Sequence, residues 1–215
     1  MEKILPKGEC EMKVVGLCGG SGSGKGCVSE YFKSFGIPSI DTDKIYRQLT
    51  SSDSECLRAL ADAFGESVIG ADGGLDRVRL RALVFEGEGA EQRRDLLNRI
   101  SHKYILERTD EILSVYAETG VKAALVDAPL LFESGYDKKC DLVLAVIADP
   151  EIRVNRISVR DGITKENARL RIASQIPNEE LIKMCDLHIV NNGDFYELQT
   201  QCERIAEQIM NFKKR

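Results

Sequence analysis

The chain has 215 residues, of which 43% are hydrophobic and 30% are charged. These ordinary globular values exclude a disordered chain, a collagen-like repeat and a disulfide-stabilised miniprotein. The chain has 30 basic and 35 acidic residues, so its net charge is −5, and we expect no nucleic-acid partner and no membrane partner.

The cysteines and the apolar segments predict where the protein works. The 7 cysteines are odd in number, scattered and without a C-x-x-C pair, which is typical of reduced thiols in a cytoplasmic protein. The longest apolar run, Leu142–Ala148, is too short to span a membrane. Residues 1–11 show no signal peptide and are predicted as a flexible extension, unless translation begins at Met12.

Apolar runs with β-branched residues predict strands, and apolar residues at helical spacing predict helices. In chain order the predicted elements are strand Lys13–Cys18, helix Lys25–Phe35, strand Ile37–Asp41, helical pieces between Asp43 and Leu83, helix Glu91–Ala117, strands Ala123–Asp127 and Leu142–Ile147, helices Arg153–Arg160 and Glu166–Ser174, strand Leu187–Val190 and helix Phe195–Phe212. This alternation predicts an α/β fold with a doubly wound, five-stranded parallel sheet. The predicted core comprises 12–49 and 121–215, with a helical lid at about 153–178, and 50–120 is a helical insertion that binds the acceptor.

The first strand ends in a glycine-rich loop. Residues 19–25 read Gly-Gly-Ser-Gly-Ser-Gly-Lys, which fits G-x-x-x-x-G-K between a predicted strand and a predicted helix. Glycines let backbone N–H groups converge on phosphate oxygens, the helix adds its positive end, and Lys25 adds a full charge. The alternative is a flexible Gly/Ser turn with an exposed lysine. The residues predicted to bind ATP here are Gly20, Ser21, Gly22, Ser23, Gly24, Lys25, Gly26 and Cys27.

The residue after Lys25 departs from the phosphate-loop pattern. A Ser or Thr hydroxyl normally ligates Mg²⁺ there, whereas this chain has Gly26 followed by Cys27, whose thiol is a poor Mg²⁺ ligand. Water fills the missing position in one interpretation, since Mg²⁺ keeps several waters. In the other, the protein binds nucleotide but turns it over slowly or not at all.

Three acidic residues follow predicted strands, at the edge where open α/β sheets bind ligands. We predict that Asp41 caps the next helix and that Asp43 accepts the proton of an attacking hydroxyl. Asp127 ends the third strand as in a Walker B segment. It either orients Mg²⁺ through water or caps a turn.

A run of basic residues in the C-terminal half suggests a lid. Arg153, Arg156 and Arg160 share one helix face, which in most proteins is simply solvated, but beside a phosphate loop arginines neutralise the transferring phosphoryl group. Asn191, Asn192 and Gly193 form a turn by default, or hold adenine through their amides.

Taken together, these residues resemble the dephospho-coenzyme A kinase family, from about Met12 to the C-terminus. The segments that carry the resemblance are Gly16–Lys25, Asp41–Arg47, Asp72–Arg77, Pro129–Glu133, Arg156–Asp161 and Asn191–Gly193. The resemblance implies a P-loop kinase core with an inserted acceptor domain and a lid. It further implies that the ribose 3′-hydroxyl of dephospho-CoA is phosphorylated with ATP and Mg²⁺, the last step of CoA biosynthesis.

The resemblance also implies roles for individual residues. By position, Asp43 matches the family's base, Lys25 its phosphate-loop lysine and Arg160 its lid arginine, while Arg156 and Asn192 fall at ATP-binding positions. The acceptor-binding set comprises Asp43, Arg47, Arg77, His102, Pro129, Leu130 and Phe132. Where the family usually has His-Pro, this chain has His102-Lys103, so His102 is alternatively an ordinary, partly buried helix residue.

Two rival functions stay open on the sequence. One is a P-loop kinase for a nucleoside or a sugar. The other is a nucleotide-binding protein without turnover, because of Gly26. A GTPase switch is disfavoured, since the chain contains no Asn-Lys-x-Asp guanine motif.

Overall fold

The computed structural model describes residues 12–51 and 53–213. The extension predicted for residues 1–11 therefore lies outside the described residues. In chain order the elements are β1 (Lys13–Cys18), α1 (Lys25–Ser34), β2 (Ser39–Asp41), α2 (Thr42–Leu49), α3 (Glu55–Phe64), α4 (Arg77–Phe85), α5 (Ala90–Glu118), β3 (Ala123–Asp127), β4 (Leu142–Ile147), α6 (Pro150–Asp161), α7 (Lys165–Ala173), α8 (Asn178–Met184), β5 (Leu187–Val190) and α9 (Phe195–Asn211). Short 3₁₀ turns occupy Glu66–Val68 and Tyr136–Lys139.

The five strands form one sheet in the order β2-β3-β1-β4-β5. β1 pairs in parallel with β3 on one side and with β4 on the other, and β4 pairs in parallel with β5. All of β4 is buried, as is β3 up to its final residue, Asp127. Strands buried on both faces are typical of parallel sheets covered by helices. The predicted doubly wound sheet is confirmed.

The chain divides into two compact units, of which the first comprises the described residues up to Ile40 together with Leu113 onward. Its core is formed by strands β1, β3, β4 and β5, by Ile37 and by one face each of α1 and α9. The buried residues of this core are Val15, Leu17, Val28, Phe32, Ile37, Ala123, Leu125, Leu142, Leu144, Val146, Ile189, Leu198, Cys202, Ile205, Ala206 and Ile209. In α9 they recur every three or four residues, as an amphipathic helix requires.

The second unit, Asp41–Ile112, is helical and has a small core of its own. Val68, Leu80 and Val84 are its buried centre. Side-chain oxygens of Ser54 and Asp76 accept backbone N–H groups at the starts of α3 and α4, respectively, so both helices begin at ordinary N-caps.

Helix α8 was not among the predicted elements. It has only seven residues, follows Pro177 directly and offers too short a segment for a helical apolar pattern. Within the described residues, no helix is both long and apolar enough to cross a bilayer.

Candidate active site

The loop between β1 and α1 has a backbone that only glycine allows at two positions. Gly22 and Gly24 have φ values of 77° and 97°, in the left-handed region that other residues rarely adopt. A Cβ on Gly22 would lie 2.9 Å from the carbonyl oxygen of Arg153, and one on Gly24 would overlap the Asn191 amide nitrogen. The loop is therefore packed against side chains from the C-terminal half of the chain.

Lys25, the first residue of α1, points back over this loop. Its Nζ donates a hydrogen bond of 2.9 Å to the Gly19 carbonyl and lies 4.0 Å from Oδ1 of Asp127. Helix α1 begins without a capping side chain and has no acidic residue in its first turn. Its N-terminal amides and partial positive charge therefore remain suited to an anion.

A buried arginine holds the loop from behind. Arg153 in α6 is only 3% exposed, and its Nε donates to the Ser21 carbonyl at 2.9 Å. Its Nη2 donates to Oε1 of Gln175 at 2.5 Å, and the same oxygen accepts the Ser21 N–H at 3.0 Å. Burial lowers the pKa of Arg153, but an arginine remains protonated in proteins. A full positive charge thus lies against the loop backbone.

Arg156 and Asn191 continue this support along the loop. Nη1 of Arg156 donates to the Gly22 and Ser23 carbonyls at 3.3 and 3.4 Å. The buried Asn191 donates from Nδ2 to the Ser23 carbonyl at 2.7 Å, and its Oδ1 accepts from Arg156 at 3.4 Å. Three successive loop carbonyls, those of Ser21, Gly22 and Ser23, are therefore engaged by side chains.

These contacts fix the direction of the loop amides. In a trans peptide the N–H of a residue points away from the carbonyl of the residue before it. Because the Ser21 and Ser23 carbonyls face α6 and Asn191, the N–H groups of Gly22 and Gly24 face the opposite side. The Ser23 N–H closes a turn onto the Gly20 carbonyl at 3.1 Å. The arrangement presents amide donors and the Lys25 ammonium, the chemistry that binds phosphate oxygens.

The predicted ATP-binding residues after Lys25 lie at the surface. Gly26 and Cys27 are exposed in the first turn of α1, and a Cβ on Gly26 would meet no atom within 4 Å. Asn192 is exposed and its Oδ1 accepts the Asp149 N–H at 2.8 Å. Within the part of the chain that the structure describes, the buried Ser23 Oγ has no hydrogen-bond partner.

The predicted lid arginine, Arg160, is held by its neighbour. Nε and Nη2 of Arg160 donate to the two carboxylate oxygens of Asp161 at 2.7 and 3.0 Å, and Nη1 of Arg171 donates to the same carboxylate at 2.5 Å. Hydrogen bonds from Arg160 and then Arg171 lower the pKa of Asp161 to about 2. Arg160 itself remains exposed at the end of α6.

The predicted acceptor-binding residues fall in both units. In the first unit, Pro129 and Leu130 are exposed and Phe132 is half-buried in the turn after β3. In the second unit, the exposed Arg77 at the start of α4 donates to Thr50 Oγ1 at 3.0 Å, and the half-buried His102 lies within α5.

Helix α2 separates the roles predicted for its two aspartates. Oδ1 of Asp41 accepts the Lys44 N–H at 3.0 Å, so the predicted capping role of Asp41 is confirmed. Asp43 and Arg47 are exposed on α2, and Asp43 lies in its first turn. Because Asp41 fills the cap, the Asp43 carboxylate is not required for it.

Sequence reasoning missed how the loop is supported. Gln175 was not singled out, and Arg153 was grouped with Arg156 and Arg160 as a solvated face or a lid, although it is buried against Ser21. The one available signal was helical spacing: Arg153 lies four residues before the buried Ile157, on the side of α6 that packs inward.

Comparison with known proteins is consistent from sequence to structure. The family model for dephospho-CoA kinase matches residues 13–197. A dephospho-CoA kinase from Corynebacterium glutamicum is 36% identical over 197 residues, covering 92% of this chain and 97% of the relative. One from Bacillus cereus is 38% identical over 194 residues, covering 90% and 96%. The crystal structure of TT1252 from Thermus thermophilus has a TM-score of 0.79 at 28% identity, covering 94% of this chain and all of that one.

Proposed function

We infer what the site does from one premise: the chain belongs to the dephospho-CoA kinase family. On that premise it transfers the terminal phosphoryl group of ATP to the ribose 3′-hydroxyl of dephospho-CoA, giving CoA and ADP. The observation that carries the proposal is the phosphate loop, whose Ser21 and Ser23 carbonyls are held on one side so that amide hydrogens face the other. A loop held in this way binds a triphosphate without first having to order itself.

The loop and Lys25 hold the β- and γ-phosphates. The Gly22 and Gly24 amides and the N-terminal amides of α1 supply neutral donors, and the Lys25 ammonium supplies a charge. The Lys25 side chain is already held at the Gly19 carbonyl, 4.0 Å from Asp127. It therefore loses little conformational freedom when phosphate binds. Arg153 adds positive charge behind the loop, in surroundings where electrostatic attraction is strong.

The residues around Lys25 fit a bound Mg²⁺ that is held largely by phosphate and water. Among the described residues, no group of three or more His, Cys, Asp or Glu side chains is arranged to hold a metal ion. Mg²⁺ keeps several waters and usually takes one or two protein carboxylates together with substrate oxygens, and the Asp127 carboxylate beside Lys25 would be the nearby acid that holds those waters. When bound, the ion neutralises charge on the phosphates. Asp127 would hold it through water, and Gly26 contributes no ligand.

Asp43 is the residue we assign as the base. Its carboxylate lies in the exposed first turn of α2, two residues beyond Asp41 at the carboxyl end of β2, and carboxyl ends of parallel strands share one edge of a sheet. A carboxylate there accepts the proton of the 3′-hydroxyl and orients that oxygen toward the γ-phosphate.

The lid and the acceptor loop complete the proposal. Arg160 exchanges Asp161 for phosphoryl oxygens, and Arg156 assists, because guanidinium groups match the geometry of both carboxylate and phosphate. Asn192 contacts the adenine. The acceptor contacts come from Arg47, Arg77, His102, Pro129, Leu130 and Phe132.

A coupled ADP-release assay with ATP, Mg²⁺ and dephospho-CoA tests this function, with a panel of nucleosides and sugars as competing acceptors. Substituting Asp43→Asn should lower kcat about 10²- to 10⁴-fold, the usual worth of a general base. The matched control is Asp62→Asn, which removes an exposed acid from α3 and should leave kcat unchanged. A full rate in the Asp43→Asn protein removes Asp43 from the mechanism, and a preferred nucleoside or sugar acceptor overturns the substrate assignment.

A further inference from the structure

Two cysteines distant in sequence meet at the base of the phosphate loop. Cys18 is the last residue of β1 and directly precedes Gly19, and Cys185 is the C-cap residue that directly follows α8. Their Sγ atoms are 3.5 Å apart. Both belong to the first unit, and neither has a role in the proposed transfer.

The two thiols differ in exposure and in acidity. Cys18 is 4% exposed, whereas Cys185 is only half-buried. The hydrogen bond between the two thiols raises the pKa of Cys18 and lowers that of Cys185. Among the charged groups nearby, Lys25 lowers the pKa of Cys18 and Asp127 raises it. Asp186 raises the pKa of Cys185, against the stronger effect of the hydrogen bond with Cys18. Cys185 is therefore the more accessible and the more readily ionised thiol of the two.

The other buried or half-buried cysteines of the described residues are protected by their surroundings. Burial raises the pKa of Cys56 to about 11 and those of Cys140 and Cys202 to about 12, and thiols with a high pKa react slowly with oxidants.

Each member of the pair is connected to the phosphate loop. Cys18 is bonded to Gly19, whose carbonyl accepts the Lys25 ammonium. Cys185 directly follows the helix that begins at Asn178, whose Nδ2 donates to the Ala148 carbonyl at 2.9 Å. Gln175 lies three residues before that helix, and its Oε1 accepts hydrogen bonds from Arg153 and from the Ser21 N–H.

We propose that Cys18 and Cys185 are a modification site, a dithiol that peroxide converts to a disulfide, and that the disulfide weakens nucleotide binding at the adjoining loop. The proposal rests on the assignment of this loop to ATP. In the first step the Cys185 thiolate attacks hydrogen peroxide, and with one proton it gives sulfenic acid and water. In the second the Cys18 thiol displaces that hydroxyl as water and forms the S–S bond. The thiols lose two electrons, and the peroxide gains them.

Closing this bond must move one support of the loop. An S–S bond is about 2.05 Å long, so the two sulfur atoms approach by roughly 1.5 Å. Cys18 is fixed by strand pairing, with Leu17 opposite Asp127 and Cys18 opposite Ala145. The displacement therefore falls mainly on the end of α8, and through α8 on Gln175 and its contact with Ser21.

The test measures binding of a fluorescent ATP analogue, without acceptor, to the reduced protein and to the protein treated with hydrogen peroxide. We expect the treated protein to bind roughly tenfold more weakly, within the usual range of coupling between two sites. A thiol reductant should restore the affinity. Peptide mapping under non-reducing conditions should show Cys18 linked to Cys185. By reciprocity, bound nucleotide should shift the thiol–disulfide equilibrium, measured in a redox buffer, toward the reduced pair by the same factor.

Two variants separate the pair from other thiols. Cys185→Ser should keep the affinity of the reduced parent and lose its sensitivity to peroxide, whereas Cys140→Ser, also half-buried, should stay as sensitive as the parent. Loss of affinity in Cys185→Ser, loss in the parent without the linked peptide, or the linked peptide with unchanged affinity would each overturn the proposal. Kinase activity of the reduced parent is measured separately, so a failure of the proposed function is recognised on its own.

Discussion

Replacing Arg153 with glutamine tests whether the charge behind the phosphate loop positions it. The side chain makes two short hydrogen bonds, to the Ser21 carbonyl at 2.9 Å and to Gln175 at 2.5 Å. Its 3.5 Å contact with Asn178 is too long to contribute substantially to stability. A bond that involves a charged group is worth about 1.5–3 kcal/mol, so about 3–6 kcal/mol is at risk. Part of this free energy is lost from the stability of the fold, and the rest from the ordering of the phosphate loop.

The free energy that is lost from loop ordering weakens ATP binding. If this loss is about 1.4 kcal/mol, KM for ATP rises about tenfold. We expect kcat to fall less, because Arg153 contacts the loop backbone and not the reacting atoms. Arg153→Lys should lie between parent and Arg153→Gln, since an ammonium keeps the charge but not the planar donor geometry. Steady-state kinetics with varied ATP, together with thermal melting, separate binding from stability.

The matched control is Arg169→Gln, which removes an exposed arginine of α7 whose ion pair with Glu151 spans 3.1 Å. Such pairs contribute about 0–1 kcal/mol, and KM for ATP should not change. The reasoning about Arg153 is refuted if Arg153→Gln melts at a lower temperature while KM for ATP stays at the parent value, because the arginine would then be structural only.

Three further predictions concern single positions. Gly24→Ala should raise KM for ATP, since its Cβ would overlap Asn191; Gly36→Ala is the matched control, with a φ of 75° and no atom within 4 Å of the added Cβ, so it should lower only the melting temperature. Gly26→Ser has room for its side chain, and a kinase that relies on water at this position should show an unchanged Mg²⁺ dependence and rate, whereas a large gain in rate would favour the interpretation as a binder with impaired turnover. The pKa of Asp161 is about 2 in the folded protein, below its ordinary value of 3.8, so the carboxylate stabilises the fold fully above pH 3.8 and this stabilisation is lost as the pH falls through 2. Asp161→Asn should therefore lose less stability than the parent over that pH range. Carboxyl NMR titration and acid unfolding measure the pKa and the loss of stability.

The strands and most helices were predictable because their signals are local. The inner strands are short, mainly apolar runs, and α9 repeats its buried residues at helical spacing. The cap at Asp41 was predictable for the same reason, since it depends on a bond to a residue three positions away. Helix α8 escaped prediction because seven residues are too few for a periodic pattern.

The phosphate loop was predictable from its motif, but its supports were not. Arg153 and Asn191 reach the loop across 132 and 168 residues of sequence, and no local pattern encodes which side chains meet at that distance. The contact between Cys18 and Cys185 has the same origin, since the two positions are 167 residues apart in sequence. Scattered cysteines look alike in a sequence, and only the order of the strands brings one pair together.

The long reach of these supports bears on synthesis by the ribosome. The amide side chain that holds the Ser23 carbonyl is made 168 residues after the loop itself. N-terminal segments usually begin to fold first, yet a nascent chain that stops before β5 has the nucleotide motif without Asn191. A chain that stops before Asn191 should therefore bind nucleotide more weakly than one that includes it, and nucleotide stabilises its fold correspondingly less.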